Sequence, residues 1–283
     1  FKGIENKEEA LEYINNAINS DSEYISCDTE TTGLFPRDGY ILGISLAYEE
    51  DSGVYILTDI IDEEIEEQLQ KLFWNKKVIF HNAKFDLAML EYHFNFEFPR
   101  VEDTMLLHYL LNENPGTHGL KQLAMRHTKY GDYEKPLTEY IEQYCRRNRV
   151  LKSQFNWGMI PFDIMQVYSA MDAVVTFILF HVFKEAIAKN PKLEKVYDDI
   201  LIPGVFFLKD MQDIGVPFDR KRLELAQNLM TENIEEAINS LYDFPEVKIF
   251  EKGQGKEFNP NSTVQLRSLL FDYIGLKPTG KKT

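Results

Sequence analysis

Asp28 and Glu30 stand one residue apart in the stretch SCDTETTGLF, at the end of an apolar run, YISC, that reads as a buried strand. Side chains at i and i+2 share a strand face, so the two acids project together, and burying both requires a compensating partner. Two further pairs carry matching chemistry. Asn82 and Asp86 lie four apart in HNAKFDLAML, and Tyr168 and Asp172 lie four apart in VYSAMDAVVTF, a spacing that puts each pair on one helix face. Asp172 sits among Val167, Met171, Val174 and Val175, where an acid needs a partner. Each pair alone has an ordinary reading. Single carboxylates at helix ends act as caps, Asn82 suits an N-cap, and Tyr168 suits a core aromatic whose hydroxyl finds a partner. Together they supply four carboxylates with no competing thiolate, and His81 reads as a polar neighbour rather than a ligand. Oxygen-only ligation suits Mg²⁺ or Mn²⁺ better than a structural zinc.

The elements that must bring these residues together are legible in outline. Alternation and β-branched content predict strands near 23 to 29, 41 to 48 and 53 to 58, close enough to form an antiparallel meander. A helical period runs through DEEIEEQLQKLFW, followed by the short strand KKVIFHN and a second helix, AKFDLAMLEYHF. That order calls for a right-handed crossover, with the VIF strand parallel to the first strand and beside it. From Val101 to about Asn190 the pattern is almost wholly helical, with Asp103 the expected N-cap of TMLLHYLL. The expected fold class is α/β, a mixed sheet flanked by helices. Pro191 and Pro203 bracket a change in texture, which places a domain boundary near residue 195. The helical patterns VFFLKDMQDIG and RKRLELAQNLMTENIEEAINSLY follow, and no internal repeat is present.

Composition narrows the function classes. The 283 residues are 44% hydrophobic and 13% aromatic, ordinary for a globular chain, and the formal charge is −15. That balance argues against gripping duplex nucleic acid by broad phosphate neutralisation, although divalent ions can supply positive charge locally. One basic run, CRRNRVLK, interrupts the acidic background, and Arg146, Arg147 and Arg149 in it are set aside from the site. Two cysteines, Cys27 and Cys145, are too few for a disulfide framework and point to a reducing compartment. The acidic first thirty residues lack the pattern of a signal peptide, and no apolar run is long enough for a bilayer, so a cytoplasmic location without membrane contact is expected. A first residue other than Met suggests a piece of something longer.

The segments DTETTGL, HNAKFDLAML and YSAMD resemble the three exonuclease motifs of the 3′-to-5′ proofreading domain of family A (DNA polymerase I type) DNA polymerases. Order, internal spacing and the intervening EDTMLLHYLLNENPGTHGLKQLAMRH agree with that family. A sister branch of the four-acid superfamily places a histidine five residues before the last aspartate. Here that residue is Val167, which favours the tyrosine branch. The resemblance implies a ribonuclease-H-like fold over residues 1 to 195 and a two-metal 3′-to-5′ exonuclease acting on a single-stranded or mismatched DNA 3′ end.

It further implies that Asp28 bridges two divalent ions, that Glu30 and Asp172 complete one site, and that Asp86 serves the other. Tyr168 is expected to orient the attacking water. Thr31, Leu34, Asn82 and Phe85 are the expected contacts to the terminal nucleotides. The segments LIPGVFFLKDMQDIGVPFD and FNPNSTVQLRSLLFDYIGLKPTGKKT are similar to the opening of the polymerase thumb, which makes residues 196 to 283 a truncated helical domain. Ser262 with Gln265 independently reads as a capping box. Nothing matches the palm's catalytic carboxylates, so polymerisation is not expected of this chain alone, and the remaining polymerase region or a replication subunit is the expected partner. The alternatives are an exoribonuclease of the same superfamily and a catalytically silent scaffold.

Overall fold

A computed structural model describes residues 1–277. Residues 278–283, which close the second thumb-like segment, lie outside the described residues. The chain forms two compact units, Phe1–Gly215 and a second from Val216 onward.

The first unit is built on one six-stranded sheet of β1 (Lys2–Ile4), β2 (Tyr24–Thr31), β3 (Ile41–Ala47), β4 (Val54–Leu57), β5 (Lys77–Phe80) and β6 (Val101–Asp103), in the order β1-β4-β3-β2-β5-β6. β2, β3 and β4 pair antiparallel as the expected meander, and β5 lies parallel beside β2. β1 and β6 are the strands that periodicity does not show. Each is three residues long, too short to display an alternation, and each is defined by parallel pairing, with β4 and β5 respectively. β6 therefore replaces the start of what reads as helix after Val101.

Helices cover both faces. α1 (Lys7–Asn19), α2 (Glu63–Asn75) and α3 (Ala83–Phe94) lie on one side, where Ala10, Ile14, Leu69, Phe73, Leu87 and Leu90 join Ile25 and Cys27 of β2 in one core. On the other side are α4 (Thr104–Leu111), α5 (Leu120–His127) and α7 (Phe162–Ala188), whose Leu107, Leu123, Val175 and Phe180 pack with Ile79 of β5. α6 (Lys135–Asn148) precedes α7. α7 is 27 residues long and buried through most of its middle, as expected of a helix that is apolar nearly all round. Gly53 permits its close approach, since a Cβ there would lie 2.7 Å from the Ala170 carbonyl oxygen. Among the described residues no helix is long and apolar enough to cross a membrane.

This unit extends past the boundary expected near residue 195, through α8 (Pro191–Val196) and α9 (Ile202–Ile214). The reason is packing. Tyr197 is fully buried, with its hydroxyl accepting the Asp103 backbone N–H at 2.7 Å, Val205 joins the core, and Lys209 pairs with Glu91 of α3.

The second unit contains α10 (Arg220–Leu241), α11 (Pro245–Gln254) and α12 (Thr263–Arg267), with Val247, Phe250, Phe258 and Leu269 as its small core. Ser262 caps α12 by accepting the Gln265 N–H. The expected capping box is only half formed. The Ser262 N–H is already bonded to the Asn259 carbonyl, and the Gln265 side chain accepts the Asn259 N–H at 2.8 Å instead.

Candidate active site

β2 runs between β3 and β5, so its end lies at the middle of the sheet. Successive side chains alternate faces. Ile25 and Cys27 enter the core with α1 to α3, whereas Ser26, Asp28 and Glu30 turn toward α7. Ser26 Oγ donates to the Ala173 carbonyl at 2.7 Å, and Ser169 Oγ donates to Glu30 Oε1 at 2.9 Å, which fixes the register of α7 on the strand. That register brings Asp172 over the strand end, and Asp28, Glu30 and Asp172 each offer a carboxylate oxygen within 4.8 Å of the others.

Asp86 does not join this tight group. Thr29, between the two strand acids, faces the other way, and Asp86 Oδ1 accepts its backbone N–H at 3.0 Å and its hydroxyl at 2.7 Å. The four acids are thus arranged as three on one side of the strand end and one held from the other. The signal in the sequence for Thr29 is its position between two same-face acids.

Electrostatics show how poorly the acids tolerate charge on their own. Burial first, then the charges of Asp172, Asp86 and Glu30, hold the Asp28 carboxyl well above its ordinary range. Glu30 is pushed up to about 8, mainly by burial and then by Asp172, with the Ser169 hydrogen bond acting against the shift. Asp86 rises to about 7 through burial, offset by its Thr29 bonds. A buried oxygen-only cluster with excess negative charge fits a divalent hard cation.

Asp172 is held by residues that carried no motif signal. Lys121 Nζ and the Tyr133 hydroxyl both donate to its Oδ1. Lys121 shares a face of α5 with Ala124, which is fully buried, so its head group is directed inward, and that spacing was the one hint available. Tyr133 lies in an aperiodic loop and gave none. The phenol bonded to Asp172 is therefore Tyr133. Tyr168 is buried beside it, with ring centroids 6.3 Å apart, and Lys121 Nζ stands 4.2 Å from the Tyr168 ring centre.

Asn82 begins α3 in the left-handed region, φ 74°, with an exposed side chain that makes no capping bond. Capping falls to Asp103, whose carboxylate accepts the N–H groups of Asn82 and Ala83 at the head of α3 and of Met105 and Leu106 at the head of α4. Asp103 is thus the expected cap of TMLLHYLL and also sets the start of the helix carrying Asn82 and Asp86. Leu34 is 77% exposed in the loop after β2, Thr31 closes a turn onto the Gly33 carbonyl at 2.8 Å, and Phe85 packs partly against the core. His81 bonds Thr104 Oγ1 at 2.8 Å, and burial and then the Lys121 charge lower its pKa to about 4. Arg146, Arg147 and Arg149 are exposed at the end of α6.

The family described as 3′-5′ exonuclease matches residues 1–188, up to the end of α7. A DNA polymerase of Escherichia phage T5 is 44% identical over all of this chain and 34% of its own length. Of solved structures, the polymerase domain of Pol1 from M. smegmatis, described with DNA primer-template and dNTP, superposes with TM-score 0.63 at 17% identity, over 100% of this chain and 42% of that one. NrnC of Brucella melitensis with bound Mg²⁺ superposes with TM-score 0.51 at 18% identity, over 77% and 94%. These two likenesses are of fold alone, a helix-flanked mixed sheet of the ribonuclease-H-like kind. The chain spans about a third of the length of the phage polymerase it matches.

Proposed function

The chain belongs to the 3′-5′ exonuclease family of DNA polymerase I type polymerases, and on that premise we propose that it hydrolyses the terminal phosphodiester of single-stranded or mismatched DNA 3′ ends, releasing nucleoside monophosphates as a proofreading activity. The convergence of Asp28, Glu30 and Asp172, with Asp86 anchored behind them by Thr29, carries this reading. Mg²⁺ or Mn²⁺, two ions in the full arrangement, would supply charge neutralisation and an acidified water. Asp28, Glu30, Asp86 and Asp172 are the residues that would hold them.

The other roles belong to the chain's own groups. Tyr168 orients the attacking water through its hydroxyl. Burial and the surrounding acids hold that phenol well above its ordinary pKa, so it donates a hydrogen bond and does not serve as a general base. Asn82, exposed at the head of α3, bonds the terminal nucleotide, with Thr31 nearby. Leu34 and Phe85 pack against the unpaired bases. The helical unit after Val216 is read as the start of a polymerase thumb, which makes the rest of a polymerase the natural partner.

The test is incubation of the chain with a single strand, a 3′-mismatched primer-template, a matched duplex and an RNA of the same sequence, in Mg²⁺, Mn²⁺ or EDTA. Mononucleotide release from the DNA substrates with either metal and none in EDTA is expected. Undiminished degradation in EDTA rejects the metal-dependent reading, and preference for RNA assigns the site to an exoribonuclease instead.

A further inference from the structure

Lys121 is the one cation within salt-bridge distance of the four acids among the described residues. Its side chain is 27% exposed and that of Asp172 is 5% exposed, so the pair is largely shielded from water. Three groups meet at its ammonium. It donates to Asp172 Oδ1 and, at 3.2 Å, to the Tyr133 hydroxyl, and it lies 4.2 Å and 4.8 Å from the ring centres of Tyr168 and Tyr133. Tyr133 donates to the same Asp172 oxygen. One lysine on α5 therefore fixes an acid and a phenol that lie one turn apart on α7.

We propose that Lys121 is a positioning residue of the exonuclease site, locking the Asp172 carboxylate and the Tyr168 ring in a single arrangement, an inference that rests on the exonuclease reading above. Two effects of the ammonium oppose each other. As a charge it weakens the pull of the acids on any further cation, whereas as a donor and ring contact it orders the two groups on which turnover depends. Removing it should separate the two effects. Metal binding should hold or tighten while turnover falls, the reverse of what general loosening of the site would do.

The experiment uses the 283-residue chain as wild type, Lys121→Met, Lys121→Arg and Tyr133→Phe. Mn²⁺ binding is measured without DNA by electron paramagnetic resonance, and kcat and KM on a single-stranded oligonucleotide. In Lys121→Met, kcat is expected to fall about 10- to 100-fold, the usual cost of losing an outer partner of a metal ligand, with KM changed less than about threefold and the Mn²⁺ dissociation constant equal or lower. Lys121→Arg should recover part of the kcat, and Tyr133→Phe should lower it less than Lys121→Met does. Should Lys121→Met fail to fold, the Arg and Phe variants carry the test, with reduced kcat and unchanged Mn²⁺ binding still required. A folded Lys121→Met with near-wild-type kcat, or with Mn²⁺ binding weakened in step with turnover, overturns the proposal. A wild type that binds Mn²⁺ but leaves DNA ends intact rejects the exonuclease reading and this role with it, an outcome distinct from active wild type with indifferent variants.

Discussion

At the scale of single residues, the four acids have separable expectations. On the proposed metal-dependent reading, Asp172→Ala should lose several orders of magnitude in turnover, because losing a carboxylate that would hold the metal removes water activation and charge stabilisation together. Near-wild-type rates from a folded Asp172→Ala would show that the site is wrongly assigned. Tyr168→Phe removes only the hydroxyl, so it should slow turnover markedly while Mn²⁺ binding stays near wild type, and loss of metal binding in that variant would place the phenol among the ligands.

Protonation gives a third expectation. Glu30 and Asp86 hold their protons to about 8 and about 7, above the 4.5 and 3.8 of unfolded chains, so between those limits the folded state binds more protons than the unfolded one. Stability in EDTA should therefore fall as pH rises from about 4 to about 8. With Mg²⁺ present the decline should flatten, since binding then favours the deprotonated acids. Urea midpoints at pH 5 and pH 8.5, with and without Mg²⁺, measure both slopes. A midpoint in EDTA that rises with pH would contradict the burial-driven shifts.

At the scale of elements, Asp103 is the joint between β6, α3 and α4. Its two oxygens take N–H groups from the first turns of both helices, and it is itself buried. Asp103→Ala leaves those donors without their acceptor and should cost about 1–3 kcal/mol in chemical denaturation. Because α3 carries Asn82 and Asp86, turnover should fall with stability, and an unchanged denaturation midpoint would remove Asp103 from this role. The other joint is α7 on the sheet, where Ser26, Ser169 and Gly53 set how closely the helix sits. Gly53→Ala pushes a methyl against the Ala170 backbone carbonyl and should destabilise by about 1–3 kcal/mol, the range for overpacking.

At the scale of the whole molecule, the charge of −15 decides which substrate form is expected. An acidic balance disfavours holding a duplex by broad phosphate neutralisation, whereas an unpaired end can be held by base stacking worth about 1–3 kcal/mol per base. A mismatched terminus has already met most of the cost of unpairing. Single strands and mismatched ends should be degraded faster than matched blunt duplex at fixed salt, with weak sequence preference. Equal rates on all three would point to a strand-separating surface elsewhere on the molecule. The sequence by itself determined the acids, their order on a strand and two helices, the meander and the parallel VIF strand, because each is encoded by local spacing or periodicity. The tertiary structure alone decided that Thr29 anchors Asp86, that Asp103 joins the head of α3 to that of α4, that β1 and β6 exist through their pairing, and that Lys121 and Tyr133 converge on Asp172. Most of those contacts join residues distant in the chain, as Thr29 with Asp86 and Lys121 with Asp172 are, and a bond across such a separation leaves no period in the chain that makes it.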